Sequence, residues 1–151
     1  MEEYNNLFNE FKKIPTIRSY GFVNSKKLYE LMYSSTMLIH VESFNERDIE
    51  RVRYSVSTKI ADSLASGVCL FAYGPKEVAS IQHLNKNKCA VVVSEEKKLD
   101  EVLYYYLSMK TERKKIVENA LITAEKYHSQ ERQSEYVRDV LSEVVYEGTS
   151  N

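Results

Sequence analysis

The chain has 151 residues, enough for one globular domain with a sizeable core. Its formal net charge of -1, with 28% charged and 43% hydrophobic residues, gives no global electrostatic reason to bind nucleic acid, so any anion site must be local. No apolar run is long enough to cross a bilayer, and the acidic start MEEYNNLFNEF lacks the basic-then-apolar order of a signal peptide, so a cytoplasmic location is expected.

Residues 1–16 contain LFNEF, end near Pro15 and read as a leader or the tail of a preceding element. From there, short apolar runs rich in branched residues alternate with segments of helical period, the pattern of parallel strands joined by crossover helices. The first expected strand is IRSYGFV (17 to 23), followed by a helix capped by Ser25 that places Leu28, Leu31 and Met32 on one face. MLIHV (37 to 41) is the second strand. Residues 44 to 55, FNERDIERVRYS, mix acids and bases without a clean period and read as a long loop between strand and helix, of a length that suggests a functional or mobile segment. A helix then opens at Ser57-Thr58, carries Ile60, Ala61, Leu64 and Ala65 on its apolar side, and stops at Gly67. VCLFAYG (68 to 74) and CAVVV (89 to 93), separated by the weaker helical run KEVASIQHLNKN, are apolar enough to be covered on both faces. Cys69 and Cys89 lie inside these runs and read as reduced, buried thiols. Beyond residue 93 the chain is helical, with apolar stripes through Leu99, Val102, Leu103 and Tyr106, through Ile116, Val117, Ala120, Leu121 and Ala124, and through Tyr136, Val137, Val140, Leu141 and Val144. These helices are expected to wrap back over the sheet. The reading is an α/β, Rossmann-like domain over 17–146 with a mostly parallel sheet, and a disordered tail at 147–151.

Ligands of open parallel sheets collect beyond the carboxyl ends of the strands, which here gathers Val23 to Ser25, His40 to Phe44, Ser57 to Lys59, and Gly74-Pro75. Free amides, two hydroxyls and the Lys59 cation at a helix start suit a phosphate, although Ser57 and Thr58 could equally be ordinary caps. Asp62, four residues after Thr58, could accept from a ribose diol or simply complement the helix dipole. His40, Glu42, Ser43 and Gly74 form the expected edge of the site. His83 and His128 have no cysteine or histidine at metal-ligand spacing, so no metal site is expected. Of the tyrosines at 104 to 106, only Tyr106 falls on the apolar stripe. Lys110, Arg113, Lys114 and Lys115 form a basic cluster suited to solvent, with peripheral membrane contact as the alternative.

The run from GFVNSKKLYELMYSSTMLIHV through STKIADSLASGVCLFAYGP to EKYHSQ resembles the C-terminal, donor-binding domain of GT-B glycosyltransferases, in the large retaining group that includes sucrose and glycogen synthases. The resemblance implies a nucleotide-diphosphate sugar as donor substrate. It assigns the diphosphate to Ser57, Thr58 and Lys59, the ribose to Asp62, in the position of a glutamate in that family, and the base to Val23, Asn24 and Ser25. A neutral Ser25 where a guanine reader would place an acid slightly favours UDP. The family often carries a second glutamate eight positions earlier, where this chain has Tyr54; Glu42 or Glu46 are the available substitutes. The resemblance further implies that an N-terminal domain of the same enzyme is missing here, that the chain alone is inactive, and that no cofactor beyond the donor is needed. It implies no oligomeric state. A sugar-nucleotide epimerase fragment and a non-catalytic interaction domain with a degenerate nucleotide site are the alternatives.

Overall fold

The three apolar runs at 37–41, 69–73 and 91–93 meet as one parallel sheet in the computed structural model, which describes residues 9–148. Strands β1 (Met37–Val41), β2 (Cys69–Tyr73) and β3 (Val91–Val93) lie in the order β1-β2-β3, with Met37 opposite Cys69 and Phe71 opposite Val91. The period of two divides β2 between two cores. Leu70 and Ala72 face one side with Leu38 and Val92; Cys69 and Phe71 face the other with Val91 and Val93.

The chain divides into two units, Met1–Glu30 and Leu31–Asn151. In the first, residues 9–13 are helical (α1) and residues 17–23 run exposed, apart from half-buried Val23, without strand pairing. The strand expected there does not form. Gly21 sits at φ 63, which turns the backbone out of the extended region, and Phe22 is fully exposed. Helix α2 (Ser25–Ser34) is capped by Asn24 and not by Ser25: the Asn24 side-chain oxygen accepts from Lys27 N at 2.9 Å.

In the second unit, the stretch expected to be a loop holds α3 (Glu46–Val52). Asn45 caps it by accepting from Arg47 N at 3.0 Å, Glu46 and Asp48 sit at its positive end, and Arg51 lies in its last turn. Ile49 is buried and Val52 packs beside it on the first core, which fixes a helix too short to show a period. Helix α4 (Lys59–Ala65) buries Ile60 and Leu64 completely and ends at Gly67, whose φ of 70 is the left-handed stop expected from sequence. Helix α5 (Ala79–Lys86) adds Ile81 and Leu84.

Helix α6 (Leu99–Ser108) and the first half of α7 (Lys110–His128) close the second core through Leu99, Val102, Leu103, Tyr106, Ile116 and Val117. Ala120 and Ala124, further along α7, reach the first core. Small side chains there let α7 pack against α4. Helix α8 (Gln130–Gly148) departs from expectation: Tyr136, Val137, Val140, Leu141 and Val144 are exposed, because α3 to α7 already cover a sheet only three strands wide. It also runs two residues into the expected tail, whose last three residues lie outside the described ones. Cys69 and Cys89 are free and buried, and burial pushes the Cys69 thiol up to about 11, so it is inert as a nucleophile at neutral pH.

Leu64 has no exposed surface, so Leu64→Ala is expected to lower unfolding free energy by about 2–5 kcal/mol in urea titration. One long-range contact was not legible in the sequence: His83 Nε2 and His128 Nε2 lie 3.0 Å apart and join α5 to the end of α7. Burial lowers both imidazoles below their ordinary 6.5, and His83 is lowered further by His128 and Lys86. The unfolded chain therefore binds these protons more readily than the folded one, and the pair's contribution is intact above about pH 6.5 and lost as pH falls. Melting curves between pH 7.5 and 5 should show a steeper acid loss for the native chain than for the double variant His83→Gln/His128→Gln. Equal slopes would contradict this.

Candidate functional site

Parallel pairing brings the carboxyl ends of all three strands to one edge, and the backbone continues the ladder just beyond it. Glu42 N donates to Tyr73 O at 2.9 Å and Gly74 N donates to Val93 O at 3.1 Å. Gly74 is buried and tightly enclosed. A Cβ there would lie 2.8 Å from Glu42 Cβ and 3.0 Å from the Ile81 side chain, so only glycine lets Glu42 sit where it does. His40, on β1, turns to the same side as Leu38 by strand alternation. Its Nε2 is 2.9 Å from Glu42 Oε1, with the two side chains only 13% and 15% exposed. A carboxylate can only accept, so Nε2 carries the hydrogen of this bond.

The wall opposite is the segment leading into α4, and Ser80 holds it. The Ser80 hydroxyl, buried at the start of α5, accepts from Ser57 N at 3.1 Å and donates to Ser55 O at 3.3 Å, while Ala79 N donates to Arg53 O at 2.8 Å. The Ser57 and Thr58 hydroxyls do not cap α4. Thr58 is already helical in backbone and makes no side-chain cap bond, and Ile60 N bonds Ser57 O instead. Among the described residues the Ser57 and Thr58 hydroxyls and the Lys59 ammonium have no hydrogen-bond or ion-pair partner, so none is committed to the fold.

A cleft of about 530 Å³ opens between these walls, lined by His40, Glu42, Ser55, Ser57, Thr58, Lys59 and Ser80 together with Ile39, Val41, Val52 and Val56. Thus His40 and Glu42 join Ser57, Thr58 and Lys59 in one place. Asp62, exposed one turn further along α4, lines a different and larger cleft of about 1100 Å³ with Glu125, His128, Glu131 and Arg138. Ser43 stays in the loop, where its hydroxyl accepts from Asn45 N at 3.1 Å, and Phe44 lays its ring 4.9 Å from that of Tyr73. Glu46 opens α3 and lines a separate cleft with Pro75 and Lys76. Val23, Asn24 and Ser25 belong to the first unit, and the Asn24 side chain is occupied in capping α2. Ser80 escaped sequence reasoning; a lone serine in the apolar run VASI was its only signal.

The basic cluster is partly structural. Arg113 donates to the carbonyls of Tyr106 and Leu107 and closes α6, and Lys115 pairs with Glu112 at 2.9 Å. Among the described residues no helix is long and apolar enough to cross a membrane, and no three histidine, cysteine or acidic residues converge as metal ligands.

A glycosyl transferase-like family model matches residues 3–139, most of the chain, and the chain belongs to that family. No curated protein and no solved structure matches it. The fold and family together define a glycosyltransferase domain on a Rossmann-like α/β scaffold.

The enclosure of Gly74 makes a direct prediction. Gly74→Ala should cost about 1–3 kcal/mol of stability in denaturant unfolding, because Glu42 and Ile81 must both give way. Unchanged stability would contradict so close an approach.

Proposed function

We propose that this domain binds the nucleoside-diphosphate sugar donor of a GT-B retaining glycosyltransferase, with the diphosphate in the cleft of Ser57, Thr58 and Lys59. The observation that carries this reading is the convergence of two uncommitted hydroxyls and an unpaired ammonium at the carboxyl edge of a parallel sheet, in a chain of the glycosyl transferase-like family. Transfer breaks the bond between the sugar's anomeric carbon and the diphosphate oxygen, and the electron pair leaves with the diphosphate. A lysine and hydroxyl donors beside that oxygen stabilise the developing charge. The base assignment to Val23, Asn24 and Ser25 and the slight preference for UDP rest on the family resemblance. The ribose assignment to Asp62, which lines the neighbouring cleft, likewise rests on the family resemblance. In this reading the acceptor is held by a second domain, and the chain by itself binds donor without turnover.

Amide chemical shifts followed during titration with UDP, GDP and ADP test the reading. At least one nucleotide should move the resonances of residues 57 to 62, and Lys59→Ala should weaken that binding by roughly tenfold, the loss of one charge-assisted hydrogen bond. No change in residues 57 to 62 at millimolar nucleotide would contradict it.

A further inference from the structure

The proposed cleft contains a polar pair that the family match does not assign. His40 and Glu42 are nearly buried and bonded to each other at 2.9 Å, and Glu42 sits against a glycine where a Cβ would lie only 2.8 Å from its own. Exposed ion pairs form at little structural cost, but this one is built into the end of β1 and the close approach at Gly74. Its bond uses Nε2 of His40. The other ring nitrogen, Nδ1, makes no hydrogen bond to the described residues, and among them no fully buried side-chain polar atom lacks a partner. Nδ1 therefore keeps some access to solvent, on a residue that lines the cleft.

The charges of the cleft say what Nδ1 could serve. Lys59, from α4, is one cation, and a diphosphate diester brings two negative charges. The other titratable groups lining the cleft are His40 and Glu42 themselves; α3 contributes Val52 and α5 contributes Ser80. With Nε2–H committed to Glu42, Nδ1 can donate a hydrogen bond only when the ring is an imidazolium, the form whose charge offsets the Glu42 carboxylate and leaves the Lys59 charge for the ligand.

We propose that His40 is a second diphosphate-binding residue of this cleft, donating from Nδ1 as an imidazolium, and that Glu42 is a positioning residue that fixes the ring through Nε2. The inference rests on the donor-binding reading above. Donation from Nδ1 requires a proton on the ring, so affinity should weaken as pH rises, by at most about tenfold per pH unit for one proton.

The test uses the whole 151-residue chain and UDP-glucose, GDP-mannose and ADP-glucose, whose diphosphate diesters have no ionisation of their own between pH 5.5 and 8. Dissociation constants and His40 ring nitrogen shifts are measured by NMR across that range for the native chain, His40→Gln, Glu42→Ala and Glu42→Gln, each checked for native melting. The expected result is perturbation of His40 Nδ1 by the bound donor and weakening with rising pH. His40→Gln should lose roughly tenfold at pH 6 together with the pH dependence. Glu42→Ala should behave like His40→Gln and show a mixed ring tautomer, and Glu42→Gln should recover most of the binding, because its amide oxygen still accepts from Nε2–H. A donor that shifts Ser57 to Lys59 but leaves His40 Nδ1 untouched, with equal affinity in His40→Gln at every pH, overturns the inference and spares the donor-binding reading. A chain that shifts nowhere in the cleft with any of the three donors overturns both.

Discussion

Burial of β2 on both faces is the constraint from which the rest follows. Cys69, Leu70, Phe71 and Ala72 are all sequestered, and a strand so covered needs an apolar layer on each side and ladder partners at both edges. Helices α3, α4 and α5 with the later part of α7 supply one layer, and α6 with the first half of α7 supplies the other. Parallel pairing then forces the loops after β1 and β2 and the segment before α4 to the same edge. The cleft is a by-product of that geometry, and the residues left free in it are those the fold does not use.

Two devices hold the cleft open against its polar content. Ser80 satisfies the backbone of Ser55 and Ser57 from a fully buried position, so the approach to α4 is anchored without its own hydroxyls. Gly74 removes the one side chain that would collide with Glu42. The first device keeps Ser57, Thr58 and Lys59 available, and the second sets the position of Glu42 and, through it, His40. The backbone on both walls of the cleft is thereby anchored by packing and hydrogen bonds.

The sequence displayed those features that depend on local pattern. β1, β2 and β3 were legible as apolar runs, α4 as a periodic helix closed by Gly67, and the cluster at Ser57 to Lys59 as a chemically loaded helix start. Helix α3 was hidden because seven residues with only two core contacts, Ile49 and Val52, carry no measurable period, although Asn45 followed by Glu46 and Asp48 was a readable start signal. Residues 17–23 carried the apolar character of a strand, but apolar character does not supply a ladder partner, and Gly21 takes a left-handed turn. The stripe on α8 was legible as a pattern while its exposure was not, since coverage depends on how wide the sheet is. The pairing of His83 with His128, 45 residues apart, arises from the approach of two helices, and the enclosure of Gly74 by Glu42 and Ile81 from separate segments, neither of which residue spacing encodes.

On the proposed reading, the diphosphate of a sugar nucleotide belongs in the cleft between β1 and the start of α4. A crystal structure of the chain soaked with UDP-glucose tests it most directly. The diphosphate should lie within hydrogen-bonding distance of the Lys59 ammonium and the Ser57 and Thr58 hydroxyls. Its appearance instead in the larger cleft beside Asp62, Glu125 and His128, with the first cleft left to water, would contradict the claim.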